Sequence, residues 1–171
     1  LRLSTRVSHS RSLVTLSARE EKELREYKKD VMKNVMMPSM ARGAHVRVEE
    51  RTKELTEWAD TEAVKLGVNK AEYFDRKLGV IAAGTAYTYA REALGEKASF
   101  LKLGMVNPLP VKLIKDFAQN VERLVVIEEL DPIIENHCKT LGVEVEGKSL
   151  FSVLGEFSQA TVKKALLKEE N

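Results

Sequence analysis

The chain has 171 residues, 43% of them hydrophobic and 32% charged, with a formal net charge of +2. That balance suits a soluble globule of about one domain plus an appendage, and the small charge gives no ground for nucleic acid or an anionic membrane as partner. No apolar run nears the roughly 20 residues a bilayer span needs, and a lone cysteine, Cys138, excludes an internal disulfide framework or a cysteine-ligated cluster or zinc site and fits a reducing, cytoplasmic setting.

The opening "LRLST" alternates apolar and polar residues, as a strand does. A strand with no lead-in reads as the start of a piece of a longer polypeptide, and it lacks the single apolar core of a signal peptide. Further alternation at Val14 and Leu16 predicts a second strand piece beyond the polar turn "RVSHSRS". Residues 19 to 34 are a charged run with little apolar face, read as an exposed helix or linker. "VMMPS" is extended, because the residue before Pro38 is pushed out of the α region. From Ser39 to about Leu66 the pattern is helical, with Val48, Leu55, Trp58, Ala59 and Leu66 near one face and Gly67 as a stop. "VNKAEYFDRK" reads as a polar connector.

After Lys77 the character changes. "LGVIAAG", "SFLKLGMV", "RLVVIEEL" and "VEVEG" are apolar or alternating runs that predict four strands. Between and after them lie helical patterns: "TAYTYAREALG", "VKLIKDFAQN" behind Pro110, "DPIIENHCKTLG", and a last helix from about Ser158 to Leu167. The second carries an apolar stripe of Val111, Ile114, Phe117, Ala118 and Val121; the third turns Ile134, His137, Cys138 and Leu141 inward. Apolar strands alternating with amphipathic helices imply a mainly parallel sheet covered on both faces, a three-layer αβα sandwich preceded by a helical linker.

Among candidate sites, Glu128 and Glu129 look like paired carboxylates. Neighbours on a strand point to opposite faces, so they cannot converge on one substrate atom. The structural reading makes Asp131 the cap of the next helix, with Pro132 at its first position. The functional reading makes Glu128, Glu129 and Asp131 part of a domain or subunit interface, since ligands and partners gather at strand ends of open parallel sheets. "AAGTAY" places Gly84 between a strand and a helix N-terminus, where a phosphate binds in other folds; with no GxGxxG and no adjoining base, a structural turn capped by Thr85 is the stronger reading. "TRVSHS" gathers Arg6, Ser8, His9 and Ser10, but no third group orients the histidine as a triad requires. It is either a polar turn or a loop whose Arg and His meet a carboxylate substrate. His45 and His137 lack partner ligands at metal spacing, Cys138 reads as an inert buried thiol, and the methionines at 32, 36, 37 and 40 read as packing.

Several phrases go further by resemblance. "LRLSTRVSHSR", "VMMPSMARGAH", "GVIAAGTAYTYAREAL", "LKLGMVNPLP", "VERLVVIEELDPIIE" and "LGEFS", in this order, resemble the alpha subunit of indolepyruvate:ferredoxin oxidoreductase along nearly the whole chain. The resemblance implies an enzyme that oxidatively decarboxylates aryl pyruvates to acyl-coenzyme A with thiamine diphosphate, magnesium and 4Fe–4S clusters, passing electrons to ferredoxin. It implies three parts here: the tail of a pyrimidine-binding thiamine domain at 1–18, a helical linker at 19–77, and a transketolase C-terminal-like domain at 78–171. It also implies that Arg6, Ser8 and His9 are cofactor- or substrate-proximal, and that partners are the remaining domains of the same chain, a beta subunit and ferredoxin. The chain departs from the family's cofactor motifs: it has no GDG segment with a downstream Asn and no CxxCxxCxxxC run, so no cofactor is expected on these residues themselves. Asn107 stands where an aromatic is more usual. Two other readings stay open: the C-terminal domain of another thiamine enzyme (transketolase or a 2-oxoacid dehydrogenase beta subunit), and a standalone protein-interaction module.

Overall fold

A computed structural model describes residues 8 to 168. They fall into two units, divided after Met40. In the first, Ser8 and His9 are helical, residues 10 to 30 form neither helix nor strand, and Val31–Asn34 (α1) makes a helical turn, capped by the Asp30 carboxylate on Lys33 N–H at 3.0 Å. The expected strand piece around Val14 and Leu16 is absent, and both side chains lie in solvent. Charge outnumbers apolar residues there, so no buried face repays the entropy of ordering. Met32, Met36 and Met37 are exposed rather than packed.

The helical reading after Pro38 holds, as α2 (Pro38–Asp60) and the short α3 (Glu62–Lys65). The expected apolar face is mostly not buried: within α2 only Ala59 is, and Val48 and Leu66 are exposed. The connector reading of "VNKAEYFDRK" is overturned. Asn69–Glu72 is strand β1, paired antiparallel with β3 (Ser99–Leu103). Its polar letters hid it, because an edge strand buries only part of its surface.

The remaining strands are β2 (Leu78–Ala83) and β4 (Arg123–Ile127), and the sheet order is β1-β3-β2-β4. β2 lies parallel to both β3 and β4, so the sheet is parallel except at one edge. Strand alternation sorts the core into two layers. Val80, Ala82, Phe100, Val125 and Ile127 pack under α4 (Gly84–Leu94) and α7 (Gln159–Leu167), with Phe151 and Phe157. Ile81, Leu101, Leu103, Leu124 and Val126 face α5 (Val111–Gln119) and α6 (Ile133–Thr140) through Ile114, Phe117, Ile134 and Cys138. This is the expected α/β sandwich. The fourth expected strand, "VEVEG", makes one bridge to β4 at Glu146 and no ladder.

Two residues tie α2 to the sheet. The Asp60 carboxylate accepts the N–H groups of Lys112 and Leu113, at 3.1 and 3.0 Å, and so caps α5 from a distance in sequence. Asn69 is fully buried: its amide donates to the Ala59 carbonyl at 3.0 Å, and its oxygen accepts from Gly104 and Met105 N–H, both at 3.1 Å.

Candidate functional site at the carboxyl edge of the sheet

Strand order reverses at β2. The chain leaving β2 enters α4 on one face, and the chain leaving β4 enters α6 on the other. A crevice opens where such exits diverge. It is an open groove of about 600 Å³, lined by Gly84, Thr85, Lys102, Val106, Glu128 and Glu129 among others. Gly84 begins α4 with φ +54°, a left-handed turn that other side chains resist. Thr85 does not cap this helix: Ala83 is the N-cap and makes no side-chain cap hydrogen bond. The Lys102 ammonium stands 5.8 Å from the centre of the Tyr87 ring.

Glu128 and Glu129 lie just past the end of β4 and diverge. Glu128 accepts the N–H groups of Ile134 and Glu135, at 2.8 and 2.9 Å, with one carboxylate oxygen each. It is therefore Glu128, and not Asp131, that caps α6. Pro132 takes the N-cap position, one residue earlier than expected. Asp131 is exposed and contributes its backbone carbonyl to Ile133 N–H at 2.9 Å. Glu129 accepts Phe157 N–H at 3.1 Å, holding the segment before α7. The Lys148 ammonium donates to the Glu128 carbonyl.

Glu135 escaped the sequence reading and is buried. Its carboxylate accepts from the Lys139 ammonium at 2.6 Å and from Lys148 N–H at 2.8 Å. Burial alone would raise its pKa; those two hydrogen bonds outweigh that and hold it below the ordinary value. The i, i+4 spacing to Lys139 was the available signal. Burial, with the Glu128 charge adding to it, pushes the Cys138 thiol up to about 11, so it stays protonated and unreactive. His137 is half-buried, with a buried Nε2.

Of the other nominated residues, Arg6 lies outside the described residues, and Ser8 and His9 are exposed in the first unit. Among the described residues no three of His, Cys, Asp and Glu come together as a metal set. No described helix is long and apolar enough to cross a membrane.

No model of a known protein family matches the chain. Individual proteins do. Indolepyruvate oxidoreductase subunit IorA of Methanothermobacter thermautotrophicus is 33% identical over 178 residues, covering 97% of this chain. The subunits of the same name from Archaeoglobus fulgidus and Thermococcus kodakarensis are 32% and 30% identical, over 86% and 98% of the chain. The chain is related to a segment of IorA. It spans only 28%, 24% and 28% of those three relatives, so most of an IorA subunit has no counterpart here. Among solved structures, a 2-oxoglutarate:ferredoxin oxidoreductase from Magnetococcus marinus superposes with a TM-score of 0.57 over 77% of this chain and 23% of its own, at 13% identity. That likeness is one of fold, and it agrees with the α/β sandwich.

Proposed function

We propose that the chain serves as a partial subunit of a cytoplasmic indolepyruvate:ferredoxin oxidoreductase, and that its part in the reaction is to hold neighbouring modules in register. The IorA relationship along nearly the whole chain supports the assignment. The observation that carries the coupling role is the placement of the two carboxylates at the sheet's carboxyl edge. Glu128 accepts two backbone N–H groups and Glu129 one, each fixing a segment, and their different partners hold them apart rather than as an acid–base pair. In this reading thiamine diphosphate, magnesium, 4Fe–4S clusters and the coenzyme A site belong to the rest of the enzyme, which supplies the redox and carbanion chemistry. Domain alignment around such cofactors sets the reacting distances, and a rigid sheet domain serves that alignment. Glu128, Glu129 and Asp131 then mark a domain or subunit interface, and Arg6, Ser8 and His9 lie toward cofactor or substrate. The partners are the remaining domains, a beta subunit and ferredoxin.

The test is reconstitution. The full parent subunit with its beta subunit is expected to reduce ferredoxin with an aryl pyruvate and coenzyme A, and residues 1–171 alone to show no turnover. Turnover by the short chain would overturn the coupling role. An assembled enzyme that ignores aryl pyruvates but accepts another 2-oxoacid would overturn the substrate.

A further inference from the structure

The loop between β4 and α6 is pinned at three points. Glu128 holds the first turn of α6, Glu129 holds Phe157, and the Lys148 ammonium holds the Glu128 carbonyl. Yet it displays Leu130 at 63% exposure, and Ile133, the first residue of α6, stands beside it in the chain's next turn at 68%. Leu130 also has φ +59°, a left-handed backbone that a branched side chain adopts at a cost of the order of 1 kcal/mol. The left-handed turn lets Glu128 reach α6, but exposing a leucine at that turn gains nothing within this fold. Half of the large apolar side chains exposed between residues 41 and 168 belong to this end of the sheet: Val106 after β3, Leu130 and Ile133 after β4, and Val153 and Leu154 in the segment that Glu129 tethers. Both sheet faces are already under helices, so the carboxyl edge is where the exposed apolar side chains gather.

We infer that Leu130 and Ile133 are preformed anchors for an apolar face elsewhere in the same full-length subunit. This rests on the reading above and names the surface that does the coupling. The occupant follows from length: the IorA relatives carry roughly three-quarters of their chain outside the matched segment, and in the proposed parent subunit the corresponding chain is covalently bound to this one. Tethering makes the contact intramolecular, so a few rigid anchors suffice without a large interface.

The measurement is the labelling rate of an introduced thiol. Leu130→Cys is read by peptide mass spectrometry with a water-soluble maleimide, in residues 1–171 and in the full-length subunit; native Cys138 is buried and adds little background. The thiol is expected to react about tenfold or more slowly in the full-length subunit, independently of protein concentration. Ile133→Cys, at an ordinary helical position, repeats the test free of the strain at 130. Equal rates in the two chains overturn the inference, and intact aryl pyruvate turnover in that same enzyme would leave the proposed function standing. Protection that scales with subunit concentration, or that needs the second subunit, overturns the same-chain occupant. Protection in a subunit that lacks aryl pyruvate activity supports the docking and overturns the function.

Discussion

Both oxygens of the Glu128 carboxylate serve the first turn of α6, where the unpaired N–H groups and the helix dipole favour negative charge. Removing them leaves partly buried donors unsatisfied. Glu128→Ala is therefore expected to destabilise the fold by about 1–2 kcal/mol, Glu128→Gln by less, and Asp131→Ala by under about 0.5 kcal/mol, all read from urea midpoints. Equal losses at 128 and 131 would restore the local-cap reading. That reading was reasonable from sequence, since Asp131 precedes Pro132 as caps often do, but a left-handed Leu130 turns the chain so that the residue from the strand end reaches the helix instead. The divergence of Glu128 and Glu129 was expected from strand alternation in "RLVVIEEL", although both residues lie just past the end of β4 and are parted by the partners they bind, the first turn of α6 and Phe157 N–H. Cys138 was legible too. With its thiol pushed to about 11, it is expected to resist a disulfide reagent at pH 8 in the native chain and to react fully in denaturant.

At the scale of elements, the sequence reveals what repeats and hides what is fixed by distant partners. Continuous apolar letters marked β2, β3 and β4, and apolar stripes marked α4 to α7. β1 was missed because "NKAE" looks like a connector, and what places it is Asn69, whose three hydrogen bonds reach Ala59, Gly104 and Met105. "VEVEG" was overread: its alternation is real, but the segment meets β4 only around Glu146. Asn69→Ala would take the partner from the half-buried Met105 N–H and remove the bonds to Gly104 N–H, which keeps the Val68 carbonyl, and to the Ala59 carbonyl, and is expected to cost about 1–3 kcal/mol by urea unfolding. Asn69→Asp should be no better, because it cannot donate to Ala59 and buries a charge. Gly104 is the companion test. A Cβ there would meet the Val68 backbone carbonyl, so Gly104→Ala is expected to lose a similar amount while substitution at exposed Gly43 does not. A neutral Asn69→Ala would mean that β1 docks without its asparagine.

Across the whole molecule, two carboxylates held below their ordinary pKa, the half-buried Glu72 and the buried Glu135, contribute to the response to acid. Lys70 and Tyr87 hydrogen bonds hold the Glu72 pKa below 4.5, with Lys70 and Arg91 charges adding to them. Glu135 is held below the same value despite burial, by Lys139 and by Lys148 N–H. A carboxylate whose folded pKa is depressed stabilises the fold fully above its unfolded value and loses that contribution as pH falls through the folded one. The stability of the sheet unit is therefore expected to hold between pH 5 and 7 and to decline below about 4.5. The two sites lie on separate elements, Glu72 at the β1 edge and Glu135 on α6, so their contributions should add. Glu135→Gln is expected to lower stability at pH 7 and to flatten the acid limb, and Glu72→Gln to do the same independently. Thermal melts of both single variants and the double, from pH 3 to 7, read this directly. An acid limb unchanged in the double variant would assign the decline to other carboxylates, and would mean that the Glu135 clamp on Lys148 holds the carboxyl-edge loop through packing rather than charge.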